Sequence, residues 1–230
     1  MAAKNNDLNF STRMISIIVP VYNEEKTILK VLGLIQQAFQ DTAHEIIVVN
    51  DGSRDKTHEL CVNYKNIQYI NLPENHGKGF ALRTGFEYAK GSFVAIQDAD
   101  LEYHPAILRQ LYSQAEAGKV IYGKRDRKQG YFLNKVGNAF LSWLCNRLYG
   151  SNLFDIYTGY KIISSKILKS LELTSNGFEI EAEITAKLLR AKIPITEIPI
   201  PYTPRTIAVG KHIRAPDALI GTWTLIKNRL

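Results

Sequence analysis

Residues 14–51 read MISIIVPVYNEEKTILKVLGLIQQAFQDTAHEIIVVND. Two β-branched apolar runs, 14–22 and 45–51, flank a segment of helical periodicity. Runs this short and this uniformly apolar are strands buried on both faces. Between them Ile28, Val31, Leu32, Ile35 and Phe39 recur at three- and four-residue spacing. Glu24 and Glu25 stand in the first turn, where the helix dipole favours acids. Two fully buried strands joined by an amphipathic helix make a parallel crossover unit. The rhythm continues outward. The pattern predicts a helix over 53–64 with Ser53 or Asp55 as its cap, a strand over 67–72, a helix over 77–90 and a strand over 92–100. A helix over 104–118, with Pro105 in its first turn, and a strand over 119–125 follow. This is an α/β chain with an open, mostly parallel, doubly wound sheet; an eight-fold barrel needs ~250 residues. After 125 the alternation breaks. Helices are predicted over 131–149, 178–191 and 216–229, and strands over 156–164 and 193–203.

The chain has 230 residues, which suits one domain preceded by a polar tail at 1–13. Apolar residues make up 45% and charged residues 22%, which excludes disordered and fibrous classes. The net charge of +7 favours an anionic partner: nucleic acid, phosphorylated metabolites or an anionic membrane. Nucleic acid is disfavoured, because the basic residues are dispersed and form no recognised motif. No apolar run reaches the ~20 residues of a membrane-spanning helix, and the first thirteen residues lack a signal-peptide core. Two well-separated cysteines, Cys61 and Cys145, argue against a disulfide scaffold and for a reducing, cytoplasmic setting.

Parallel strands bring their carboxyl ends to one edge, where ligands of open α/β sheets bind. The predicted strand ends are Tyr22-Asn23-Glu24, Asn50-Asp51-Gly52-Ser53 and Asp98-Ala99-Asp100. Carboxylates gathered at one edge repel one another unless a cation or hydrogen-bond donors offset them. Each could instead simply cap the following helix. In an extended segment Asp98 and Asp100 point the same way, so that two hard oxygens can share Mg²⁺ or Mn²⁺, with Glu102 next in the alternation as a third ligand. Asn75-His76-Gly77-Lys78-Gly79 reads either as a phosphate-cradling loop or as a glycine turn that permits close helix packing.

Four stretches, PVYNE (20–24), VNDGSRD (49–55), NHGKGFALRTG (75–85) and QDADLEYHP (97–105), stand in an order and spacing that resemble glycosyltransferase family 2, with its GT-A nucleotide-sugar-binding fold. DIYTGYK (155–161) and EIPIPYTPR with GK, across 197–211, resemble its polyprenyl-phosphate sugar synthases. The resemblance divides the domain into a nucleotide-sugar half, 14–125, and an acceptor half, 126–230. It implies that Pro20, Tyr22, Glu24, Asp51 and Ser53 border the nucleoside. It places Asp98 and Asp100 at the metal and diphosphate, with Ala99 against the ribose. Arg125 stands at a phosphate-binding position, and Arg205 and Lys211 match a basic pair that reaches donor or acceptor phosphates. Lys135 stands near an expected arginine, and Glu102 where glutamine is usual.

The resemblance implies inverting transfer of a hexose from a UDP- or GDP-linked sugar, with Mg²⁺ or Mn²⁺, to a lipid phosphate. Asp98, Asp100 and Arg205 would carry the chemistry. A phosphate acceptor is already mostly ionised at neutral pH, its second pKa being ~6, and needs no strong base. A hydroxyl acceptor on a glycan or protein needs one. For that alternative Glu179, Glu181 and Glu183 are the candidates, unless they form only a solvated helix start. A third alternative is a non-catalytic nucleotide-sugar sensor. Two apolar stripes, Phe132-Val136-Phe140-Leu144-Leu148 and Leu219-Trp223-Ile226-Leu230, are either core or a surface for an anionic membrane, with Arg214, Lys227 and Arg229 flanking the second. Sugar, base, acceptor and oligomeric state are not fixed by the sequence.

Overall fold

The computed structural model describes residues 13–126, 132–204 and 215–230. The first three strands are β1 (Ile15–Val21), β2 (His44–Asp51) and β3 (Gln68–Leu72). They are joined by helices α1 (Ile28–Phe39) and α2 (Thr57–Val62), and α3 (Lys78–Tyr88) leads on to β4 (Phe93–Ile96). α4 (Pro105–Ser113), β5 (Val120–Arg125), α5 (Phe132–Tyr149), β6 (Lys161–Ser164) and α6 (Ser165–Ser170) follow. The chain continues through α7 (Ile180–Arg190), β7 (Ile195–Ile200) and α8 (Ala215–Lys227). The seven strands form one sheet in the order β3-β2-β1-β4-β6-β5-β7. β1 pairs in parallel with β2 and β4, β2 with β3, and β5 with β7; only β6 runs antiparallel to its neighbours β4 and β5.

Alternation within the strands sorts the core. Ile15, Ile17 and Val19 face α1 and α4 with Ile46 and Val48. Ile18, Ile47 and Val49 turn the other way, to α3, α6 and α7. Both faces are covered, which is why these strands read as unbroken apolar runs. A third cluster joins α5, α7 and α8 through Leu141, Cys145, Ile156, Tyr157, Ala186 and Leu225. The two cysteines are buried and free, and burial pushes their thiols up to about 11 (Cys61) and about 12 (Cys145).

Two expectations need correction. The Asp98-Ala99-Asp100 segment lies past the last strand residue, in a turn, so its side chains do not follow strand alternation. Of 156–164 only the last four residues are strand. Arg13, the first described residue, packs on the domain: its Nη2 donates to Ala115 O at 2.7 Å and its guanidinium lies 4.7 Å from the Phe93 ring centre. The two apolar stripes divide between core and surface, as described below.

Candidate active site

β2, β1 and β4 are adjacent and parallel, so their carboxyl ends open at one place. Two loops are laced together there. Asn23, at φ +55°, accepts Arg54 N–H on its Oδ1 (2.8 Å) and donates its own N–H to Ser53 Oγ (2.9 Å). Ser53 Oγ donates to Asn50 Oδ1 at 2.5 Å. Glu24 donates its N–H to Thr57 Oγ1 (2.9 Å), and its carboxylate accepts Thr27 Oγ1 (2.8 Å). Asp55 accepts from Glu25 N and Thr57 N. Burial pushes the Asp55 carboxyl up, but these hydrogen bonds outweigh it and hold the pKa below the ordinary value. Glu24 and Asp55 therefore organise the first turns of α1 and α2. Pro20 and Tyr22 lie half-buried beside them.

Asp51 is almost fully buried and accepts from Asn75 Nδ2 (2.7 Å), His76 N (2.8 Å) and Gly77 N (2.9 Å). An ionised carboxylate has about four acceptor positions, and three are used on this loop. Asp51 thus sits as the anion at the start of α3. The glycines of that loop serve close packing: Gly77 has φ +102°, and a Cβ there would lie 2.5 Å from Asn176 O. The backbone seals the contact, with Phe80 N donating to Asn176 O at 3.0 Å.

The turn after β4 is built on buried Gln97, whose Nε2 donates to Asp98 O (3.0 Å) and Tyr103 O (3.3 Å). Behind it Tyr103 stacks on Tyr160 and Tyr202, with ring centres 4.7 and 5.2 Å away, and Tyr160 Oη donates to Gln97 Oε1 at 2.7 Å. Ala99 is buried. Asp100 Oδ1 accepts Glu102 N–H at 3.0 Å. Asp98 Oδ1 pairs with Lys78 Nζ at 2.8 Å, while its Oδ2 occupies the place a Cβ would take on Gly159. The glycine of the DIYTGYK stretch thus makes room for the Asp98 carboxylate. Glu102, the third candidate ligand, accepts the Tyr202 hydroxyl on its Oε2 at 2.8 Å, and its carbonyl accepts Thr203 N.

Among the described residues no group of three or more His, Cys, Asp or Glu side chains is gathered to hold a metal. Mg²⁺ needs no such cage, because it takes one or two carboxylates and completes its shell with water and substrate phosphate oxygens. Asp98 and Asp100, half-buried and one residue apart on this turn, fit that demand in donor type and number.

Arg125 ends β5 with its fork committed. Nε and Nη2 donate to the Asp155 carboxylate at 2.5 and 2.8 Å, and Nη2 also reaches Tyr157 O at 3.0 Å. It therefore clamps the 155–157 segment to the sheet. Arg205 and Lys211, and the side chain of Lys135, lie outside the described residues.

The three glutamates of FEIEAEI do not form a solvated start. Glu179 accepts Gly177 N at 2.9 Å. Glu181 is buried between two lysines: Lys78 Nζ lies 3.1 Å from its Oε1, and Lys161 Nζ bonds its Oε2. Burial alone would push the Glu181 carboxyl up, but the ammonium groups of Lys161 and Lys78 hold it below the usual range. Glu183 accepts Thr174 N (3.0 Å), Ser175 N (2.8 Å) and Lys187 Nζ (2.8 Å). Burial opposes its ionisation, yet these donors bring it down to about 2. A depressed carboxyl stabilises the fold above its unfolded pKa and loses that effect as pH falls through the folded one. Glu183→Gln is therefore expected to cost about 1–2 kcal/mol at neutral pH, after discounting for solvent screening, and close to nothing near pH 2. Urea midpoints of both proteins between pH 7 and 2 check this: the gap should close between about pH 4 and 2.

Sequence reading missed Lys78, Lys161 and Glu181 as members of one buried cluster. The signals were a lysine between two glycines at a helix start, a lysine opening the apolar run KIIS, and an acid on the buried side of α7.

On the surface, α5 and α8 pack side by side. Leu141 and Cys145 of α5 and Leu225 of α8 face inward. Val136, Phe140, Trp143 (59% exposed) and Arg147 form an outward stripe on α5, and Leu219 (73%), Trp223 (61%) and Lys227 form one on α8. Leu144 and Leu148 of the first predicted stripe are instead half-buried, whereas much of the second stripe lies outside. No helix among the described residues is long and apolar enough to cross a membrane.

The model of the family described as Glycosyl transferase family 2 matches residues 16–171. The low-salt glycan biosynthesis hexosyltransferase Agl6 of Haloferax volcanii is 28% identical over 200 residues, 83% of this chain and 48% of the relative. The dodecaprenyl-phosphate galacturonate synthase of Rhizobium johnstonii is 28% identical over 169 residues, 69% of this chain and 50% of the relative. The chain thus spans about half the length of these relatives. Among solved structures, glucosyl-3-phosphoglycerate synthase from Mycobacterium tuberculosis, in complex with Mn²⁺, UDP and glucosyl-3-phosphoglycerate, superposes with a TM-score of 0.74 at 20% identity. The alignment covers 94% of this chain and 80% of that one, and shows a shared fold.

Proposed function

This chain belongs to glycosyl transferase family 2, and from that membership we propose that it transfers a hexose, with inversion, from a nucleoside-diphosphate sugar to a polyprenyl phosphate at a membrane surface. The observation that carries the acceptor class is the engagement of Glu179, Glu181 and Glu183. All three carboxylates are bound to loop amides or lysines, and two are buried. None suits deprotonation of a hydroxyl. An acceptor phosphate arrives already ionised and needs placement rather than a base. The name of the Rhizobium relative, a dodecaprenyl-phosphate galacturonate synthase, supports the same class.

In this reading Pro20, Tyr22, Glu24, Asp51 and Ser53 shape the nucleoside end of the pocket. Asp51 acts by fixing the 75–77 loop. Ala99 lies against the ribose. Asp98 and Asp100 hold Mg²⁺ or Mn²⁺, the ions crystallised with the mycobacterial neighbour. Such an ion neutralises the charge that grows on the departing diphosphate. Lys78 sets a positive charge at the same rim. Arg205, Lys211 and Lys135 are assigned to donor and acceptor phosphates. Arg125, held by Asp155, lies at the donor phosphates.

The outward stripes of α5 and α8 supply the membrane contact. Tryptophans midway along each stripe suit the headgroup level, and Arg147 and Lys227 suit anionic lipid. Transfer from radiolabelled UDP- and GDP-sugars to polyprenyl phosphate in anionic vesicles tests the proposal. Transfer is expected with one donor class. Changing Trp143 and Trp223 together to Glu should abolish vesicle binding and slow transfer there, yet spare transfer to a short, water-soluble prenyl phosphate. Transfer to free glycan hydroxyls alone would overturn the acceptor assignment.

A further inference from the structure

Four side chains of alternating sign run inward from the site: Asp98, Lys78, Glu181 and Lys161. They come from the turn after β4, the start of α3, the start of α7 and the start of β6. Lys161 is fully buried and anchored independently of the acids, donating to Thr158 O at 2.6 Å and Ile156 O at 3.2 Å. Burial lowers its pKa. Lys78, by contrast, is a long flexible stem on the first turn of α3, and the polar partners found for its ammonium are two carboxylates, Asp98 at 2.8 Å and Glu181 at 3.1 Å.

We propose that Glu181 is a positioning residue: it pins the Lys78 ammonium against Asp98 and thereby sets donor affinity, an inference that rests on the donor reading given above. The reason is electrostatic. A diphosphate brought to the turn meets Asp98, and two anions close together disfavour one another. Lys78 offsets the Asp98 charge only while it is held there. The Glu181 carboxylate, splitting its oxygens between two ammonium groups, fixes one of them from the immobile side, where Lys161 holds it.

A competing explanation makes Glu181 no more than the counter-charge of buried Lys161. The double variant Glu181→Gln/Lys161→Met separates the two. It removes one charge of each sign and leaves the Lys78–Asp98 pair balanced, so the fold has no unpaired buried ion. UDP and GDP affinity with Mn²⁺ is measured by calorimetry on the wild type and the double variant, and the variant is crystallised. The expected results are Lys78 Nζ displaced beyond hydrogen-bond reach of Asp98 and a dissociation constant raised about tenfold. Lys78 unmoved in the crystal overturns the inference, and so does unchanged affinity. Should the wild type bind neither nucleotide, the donor reading falls, and the place of Lys78 in the variant crystal still decides whether Glu181 positions it. If the double variant does not fold, Glu181→Asp, which keeps the charge but withdraws it by one methylene, is read the same way.

Discussion

Asp100→Ala is expected to lower sugar transfer by about 10²–10³-fold or more, the usual effect of deleting a group that offsets charge in the transition state. The stability change should be small. Asp100 is only half-buried, and its Oδ1 accepts Glu102 N–H at 3.0 Å within its own turn. A single such bond contributes roughly 1 kcal/mol. Asp100→Asn sharpens the test, because its amide oxygen can still accept from Glu102 while the charge is gone. If the turn needs only the hydrogen bond, the Asn variant works; if the site needs the anion, the Asn variant fails like the Ala variant. The second outcome is expected, with initial rates and melting temperatures measured in parallel. An alanine variant as fast as the wild type would remove Asp100 from the chemistry.

The second large effect concerns stability. Arg125→Met strands the Asp155 carboxylate, whose side chain is 7% exposed, and should destabilise the fold by about 3–5 kcal/mol. Arg125→Met/Asp155→Leu removes both charges and should recover most of that loss, since a buried pair replaced by apolar groups of similar volume is often close to neutral. Denaturant unfolding of the two variants measures the difference. A single variant that stays as stable as the wild type, yet loses activity, would favour the phosphate-binding role that family resemblance gives Arg125.

Much of this was legible in the residues. Periodicity located the strands and helices of the first half because each obeys one simple pattern: unbroken apolar runs for strands covered on both sides, three-to-four spacing for α1. Strand ends then identified the site edge. What could not be read were partners. Nothing in QDADLEYHP reveals that Gln97 folds the segment into a turn or that Glu102 accepts the hydroxyl of Tyr202, a hundred residues on. The pairing of Glu181 with Lys161 was not legible because a buried ion is recognisable only beside its counter-ion, and the two are brought together by packing of α7 on β6. The choice between core and surface for the apolar stripes was open for a related reason. Helical spacing shows that a face is apolar, not which face a neighbour covers, and the pairing of α5 with α8 leaves Trp143 and Trp223 outside.

The whole account depends on an activated sugar being gripped at the turn of Asp98, Ala99 and Asp100. Crystals soaked with Mn²⁺ and UDP or GDP, with data collected at the manganese edge, test it most directly. One anomalous peak is expected within about 2.0–2.6 Å of an Asp100 carboxylate oxygen, the range for hard cations on oxygen, bridged to the nucleotide diphosphate. A nucleotide bound away from this turn, or bound there in Mn²⁺ with no such peak, would contradict it.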